Sequence, residues 1–121
     1  MSWSLSSDRP IYIQLTEKIE MDIISGIYKS GDKIPPVREL AATAAVNPNT
    51  MQKALAELER KGLVYSLRTS GRYITDDIRK IEELKTQLAI AQTNEFLEKM
   101  QGLGFGYKEV ISLVEAGYNT E

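Results

Sequence analysis

Apolar residues recur every fourth position from Ile11 through Leu15 and Ile19 to Ile23, a spacing that puts side chains on one face of a helix. Glu17, Lys18, Glu20 and Asp22 fall outside that stripe and are expected on the solvent side. Asp8-Arg9-Pro10 reads as the helix start, with the proline in its first turn, and Ser25-Gly26 as its end. Lys29-Ser30-Gly31-Asp32 is predicted to turn, and Pro35-Pro36 fixes an extended entry to a second helix. That helix runs from about Val37 to Ala45, with Val37, Leu40, Ala41 and Ala44 on its inner face. Asn47 caps a third helix, Pro48 takes its first position, and Met51, Leu55 and Leu58 form its buried stripe. Arg60 and Lys61 suit its last turn, which Gly62 closes. Two short β-rich runs follow, Leu63 to Leu67 and Arg72 to Thr75, with Ser70-Gly71 as the hairpin turn.

Asp76-Asp77 marks a boundary, after which a long helix carries the seam Ile78, Ile81, Leu84, Leu88 and Ala91. Phe96, Leu97, Met100 and Leu103 extend its apolar surface up to a break at Gly102 to Gly106. A last helix bears Val110, Ile111, Leu113 and Val114 and is expected to stop at Gly117. Two helices in 46 residues cannot bury so much apolar surface alone, so the stripe is read as an interaction surface. The predicted fold class is mainly α with a small β-hairpin wing. A winged helix-turn-helix domain (residues 1–75) precedes a two-helix dimerisation tail (residues 76–121).

Composition narrows the chemistry. The 121 residues include no histidine and no cysteine, which removes the commonest general base, transition-metal ligand and thiol nucleophile. No enzyme, no metal site and no cofactor is therefore expected. The acidic clusters Asp76-Asp77 and Glu82-Glu83 are read as solvated faces or helix-dipole partners. The segment Met1 to Leu5 lacks a basic region followed by an apolar run, so no secretory signal is read there. Apolar stretches are too short to span a bilayer, and a cytoplasmic protein with no membrane partner is expected. Net charge is −2, but its distribution is uneven. Residues 29–72 carry 8 basic and 4 acidic groups, whereas residues 73–121 carry 5 basic and 9 acidic. Phosphate contacts are local, so the basic middle segment suits a nucleic-acid partner.

The order of short helix, tight turn, second helix and ribbon is how a winged helix-turn-helix presents side chains to duplex DNA. Asn49, Thr50, Gln52, Lys53 and Glu57 point away from the buried stripe of the third helix. Amide, hydroxyl and ammonium groups there match base edges and phosphates, and the helix N-terminus is expected to offer free N–H groups to a phosphate oxygen. Arg38, at the start of the second helix, is placed to clamp a phosphate; the alternative is an ion pair with Asp32. The wing tip Thr69-Ser70-Gly71-Arg72, with Arg68 before it, offers two cations, hydroxyls and an approachable backbone. Each feature alone also fits an ordinary polar surface, and their sequence order is what separates the two readings. Tyr12, Tyr28, Tyr65 and Tyr73 are assigned to the core or its rim, and Trp3 to a frayed end.

The block from Pro10 to Thr75 resembles the DNA-binding domain of GntR-family bacterial transcription regulators. The carrying segments are PIYIQL, GDKIPPVRELA, VNPNTMQKALAELERKGLVYS and TSGRYI, in that order. The short tail looks like that of the YtrA-type subfamily. The resemblance implies a homodimeric regulator, most simply a repressor, on a pseudo-palindromic double-stranded DNA operator. It implies DNA contacts at Arg38, Asn47, Asn49, Thr50, Gln52, Ser70 and Gly71, to which Lys53, Arg68 and Arg72 are added from the charge pattern. Some relatives carry arginines where this chain has Pro48 and Gln52, so base preference does not transfer. Dimerisation is assigned to Ile81, Leu84, Leu88, Phe96, Met100, Val110, Leu113 and Val114. A small-molecule effector is left unassigned; a pocket between domain and tail would draw on Tyr12, Phe96 or Phe105. The rival class is a winged helix serving only protein–protein contact, which a gel shift on upstream DNA distinguishes.

Overall fold

A computed structural model describes residues 3–120; Met1 and Ser2, which open the segment read for a secretory signal, and the terminal Glu121 lie outside it. The elements are α1 (Ile11–Ile24), α2 (Val37–Ala44), α3 (Pro48–Arg60), β1 (Val64–Leu67), β2 (Gly71–Ile74), α4 (Ile78–Gly102) and α5 (Tyr107–Asn119). The chain forms two compact units, one through Lys85 and one from Thr86 onward, with α4 contributing residues to both.

In the first unit, α3 packs against α1, α2 and β1. Leu15, Ile19, Leu40, Ala41, Met51, Leu55, Leu58 and Ile74 form the buried centre. The α3 stripe is wholly enclosed, so truncating Leu55 to alanine removes about 2–5 kcal/mol of stability. The α1 stripe is buried at Leu15, Ile19 and Ile23. Glu20 and Asp22, expected on the solvent side, are buried too. Each has a cation: Lys61 reaches Glu20 at 2.8 Å and Lys18 reaches Asp22 at 2.7 Å. Helix α1 is thus covered over a wider arc than one stripe; its two buried carboxylates are charge-paired, and the buried Thr16 hydroxyl donates to the Tyr12 carbonyl at 2.8 Å. Pro10 stands at the N-cap and not in the first turn, with no side-chain cap.

Helix α2 stops one residue early because Ala45 adopts the left-handed conformation, φ 59° and ψ 47°. Val46 N–H donates to the Ala41 carbonyl at 2.9 Å, and Ala45 N–H to Ala42 at 3.2 Å. These are the paired bonds of a Schellman turn, formed here without a glycine. The same pair closes α3, where Gly62 (φ 79°) donates to Glu59 and Leu63 donates to Leu58, both at 3.0 Å.

Strands β1 and β2 are antiparallel, with Val64 opposite Ile74, Tyr65 opposite Tyr73, Ser66 opposite Arg72 and Leu67 opposite Gly71. The two tyrosine rings stack at 5.8 Å. A third extended segment, absent from the sequence reading, lines the other edge of β2. Ile74 N–H donates to the Asp32 carbonyl at 2.8 Å and Ile34 N–H to the Arg72 carbonyl at 3.0 Å. The predicted turn at Lys29–Asp32 therefore delivers the chain directly onto the ribbon.

In the second unit, Gly104 (φ 92°) and Phe105 close α4 with bonds to Gln101 at 2.9 Å and Met100 at 3.1 Å. The Glu109 carboxylate accepts the Gly106 N–H at 2.9 Å and starts α5. Helix α5 continues through Gly117 to Asn119, past its expected stop, since nothing there requires a left-handed turn. No described helix is long and apolar enough to cross a membrane.

Candidate nucleic-acid interface

The two faces of α3 separate cleanly. Met51, Leu55 and Leu58 point into the core, while Asn47, Asn49, Gln52 and Lys53 are exposed and Thr50 is half-buried. The Asn47 carboxamide oxygen accepts the Asn49 N–H at 2.7 Å and so caps the helix. Thr50 and Met51 N–H groups donate to the Asn47 carbonyl at 3.0 and 3.2 Å, and Pro48 has no N–H. The first turn therefore holds no free N–H for a phosphate, contrary to expectation. The asparagine cap and the proline satisfy or remove every donor, leaving recognition at this end to side chains.

Lys53 stands with its ammonium 4.0 Å from the centre of the Tyr12 ring. Tyr12 comes from α1, so the first helix supports a charge on the third. Arg38, second in α2, is exposed and has no hydrogen bond or ion pair among the described residues. The alternative partner Asp32 instead accepts the Lys29 N–H at 2.8 Å.

At the wing, Ser70 N–H closes the turn onto the Leu67 carbonyl at 3.0 Å. Arg68 and Thr69 are exposed at the tip. The Ser70 hydroxyl shares a hydrogen bond with the Tyr73 phenol. Gly71 has φ 113°, and a Cβ there would lie 3.1 Å from Lys33 Cε. Lys33 therefore adds an exposed cation beside the wing that the residue pattern did not reveal; only its bridge to Tyr73 brings it there. Arg72 is less free than the other cations, because its Nε donates to Glu59 Oε1 at 2.7 Å. Ser66 donates its hydroxyl to the same oxygen at 2.7 Å. Burial pushes the Glu59 carboxyl up, but the Ser66 hydroxyl and Arg72 guanidinium outweigh it and hold the group below its ordinary range. Glu57, on the exposed side of α3, is paired with Arg60, whose hydrogen bond lowers its pKa.

Of the tail residues assigned to dimerisation, Leu84 and Val110 are buried within the chain. Ile81, Leu88, Phe96 and Met100 are half-buried, and Leu113 and Val114 are exposed. An apolar groove of about 470 Å³ lies within the second unit, lined by Phe96, Leu97, Phe105, Val110, Ile111 and Val114 among others. Tyr12 belongs to the first unit, against Lys53, and is not part of that groove.

This arrangement has counterparts. Bacterial regulatory proteins of the gntR family match the chain over residues 11–74. The HTH-type transcriptional repressor YtrA of Bacillus subtilis is 42% identical over 88 residues, covering 68% of each chain. A solved GntR family transcriptional regulator from Listeria monocytogenes superposes with a TM-score of 0.87 at 39% identity, over 93% of this chain and 98% of its own. The DNA-binding domain of AraR, solved in complex with operator ORX1, covers 62% of this chain and 92% of its own, with a TM-score of 0.54 at 32% identity.

Proposed function

Because this chain belongs to the gntR family of bacterial regulatory proteins, and is thus a DNA-binding transcription regulator and not an enzyme, we propose that it represses transcription as a homodimer on a pseudo-palindromic operator. Helix α3 enters the major groove with Asn49, Thr50, Gln52 and Lys53 toward the bases and flanking phosphates. Arg38 and the wing residues Arg68, Ser70, Gly71 and Arg72 hold the backbone. Asn47 sets the start of the helix through its cap and keeps its amide NH₂ for DNA. The observation that carries this reading is Arg38, exposed on α2 with no hydrogen bond or ion pair among the described residues, on the helix that packs against α3. YtrA, a relative across two thirds of the chain, is named a repressor, which supports the sign of regulation.

The tail pairs two copies. Leu113 and Val114 are exposed and the groove between α4 and α5 is apolar, so a second chain would cover both. Val110 lines that groove from a buried position, and Leu84 is already buried within the first unit. Operator DNA being the partner, the site of action is the cytoplasm. No effector is assigned.

The test is a fluorescence-anisotropy titration with duplex from just upstream of the gene, alongside sedimentation equilibrium. A dimer that protects two half-sites about one helical turn apart, roughly 34–36 Å, is the expected result. A strict monomer indifferent to every duplex at low salt would overturn it.

A further inference from the structure

We propose that Glu59 is the residue that positions the wing for DNA, by aiming Arg72 at a backbone phosphate. The proposal rests on the DNA-binding reading above and names a group which that reading does not contain. Glu59 lies in the last turn of α3, the recognition helix, and a single oxygen of its carboxylate takes both the Ser66 hydroxyl and Arg72 Nε, each at 2.7 Å. Ser66 and Arg72 face each other across the hairpin, one on β1 and one on β2. One atom therefore ties both strands of the wing to the helix that reads the groove, and fixes the angle between them.

The mode of grip matters as much as the tie. Glu59 holds the guanidinium by Nε, while the two terminal nitrogens of Arg72 have no hydrogen bond among the described residues. Those nitrogens form the fork that receives a phosphate in bidentate fashion. An arginine held at Nε keeps this fork and loses the freedom of its stem, so less order has to be imposed when DNA arrives. Side-chain exposure of 22% for Arg72 and 33% for Glu59 leaves the pair reachable from solvent yet partly screened from it. A carboxylate beside a DNA phosphate would by itself repel it; paired with Arg72 it orients a cation instead.

The experiment is a double-mutant cycle with Glu59→Gln and Arg72→Ala in the full-length protein. The readout is anisotropy on operator duplex across a salt series. Arg72→Ala should weaken binding and lower the slope of log affinity against log salt by about one. Glu59→Gln, which keeps the Ser66 bond but loses the charge, should weaken binding roughly three- to tenfold in the presence of Arg72 and have no effect in its absence. A purely structural clamp would weaken both backgrounds equally. That result, or an unchanged slope in Arg72→Ala, overturns the proposal while leaving wild-type operator binding intact. Loss of binding by the wild type itself would instead remove the reading on which the proposal stands. If thermal melts show Glu59→Gln unfolded, Glu59→Asp, which shortens the tie but keeps the charge, is read on the same cycle, with loss again expected only when Arg72 is present.

Discussion

The carboxylate of Glu20 on α1 meets the ammonium of Lys61, the C-cap of α3, at 2.8 Å, joining two helices through residues 41 positions apart in the chain. Glu20 is 2% exposed, whereas Lys61 is 39% exposed, so water screens one partner only. Lys61→Met leaves a buried carboxylate without its cation. The expected loss is about 1–3 kcal/mol, below the cost of breaking a fully buried pair because Lys61 reaches solvent. Urea denaturation at neutral pH measures it. A variant as stable as the wild type would show that water replaces the lysine.

Ala45 is the only non-glycine residue with positive φ among those described. The left-handed conformation costs an alanine about 1–2 kcal/mol, while glycine adds about 0.4–1 kcal/mol of unfolded-state freedom. Ala45→Gly should therefore raise stability by up to roughly 1 kcal/mol, and Ala45→Val, β-branched, should lower it by more than that. Calorimetric melts of the two variants test the sign. Destabilisation by glycine would mean that the turn is set by packing and not by its dihedrals.

Gly71 combines φ 113° with a Lys33 side chain 3.1 Å from where a Cβ would stand. Gly71→Ala should strain the wing by about 1–3 kcal/mol and loosen the hairpin first. Amide hydrogen exchange should speed up at Tyr73 and Ile74 more than at Leu55 or Leu58, with operator affinity reduced. Equal protection at both places would show the wing to be as rigid as the helical core.

Much of this was legible because periodicity reports burial. The spacing of Met51, Leu55 and Leu58, and the Asn47-Pro48 start, place α3 with its polar face outward, as found. What escaped depends on contacts distant in sequence or on dihedrals without a residue signature. Glu20 looked solvated because charge predicts exposure, and only Lys61, from another helix, reverses that. The bridge of Lys33 to Tyr73 follows from register against β2, and the segment around it has no β-rich pattern of its own. Ala45 hid its left-handed turn because glycine, the usual mark, is absent. At the candidate site, residue types pointed to Arg38 and Lys53, while Glu59 and Tyr12, which hold charges in place, were invisible as such.

Arg38 and Lys53 make different predictions because their surroundings differ. Arg38 has no partner among the described residues, so a phosphate that it meets releases counterions without breaking one of their bonds. Arg38→Ala should lower the slope of log affinity against log salt by about one and weaken binding alike on specific and unrelated duplexes. Lys53 leans on Tyr12 at 4.0 Å, an interaction of about 0.5–1 kcal/mol at an exposed site. Its alanine variant should lose a similar slope. Replacing the ring beneath it should leave the charge, and hence the slope, in place while loosening the geometry. Tyr12→Phe keeps the aromatic face and should bind as the wild type does, whereas Tyr12→Leu should weaken binding about two- to fivefold at unchanged slope. Slopes unaltered by both Arg38→Ala and Lys53→Ala would remove these two cations from the phosphate contacts; a Tyr12→Phe variant as weak as Tyr12→Leu would show that the hydroxyl, and not the ring, is what the DNA complex uses.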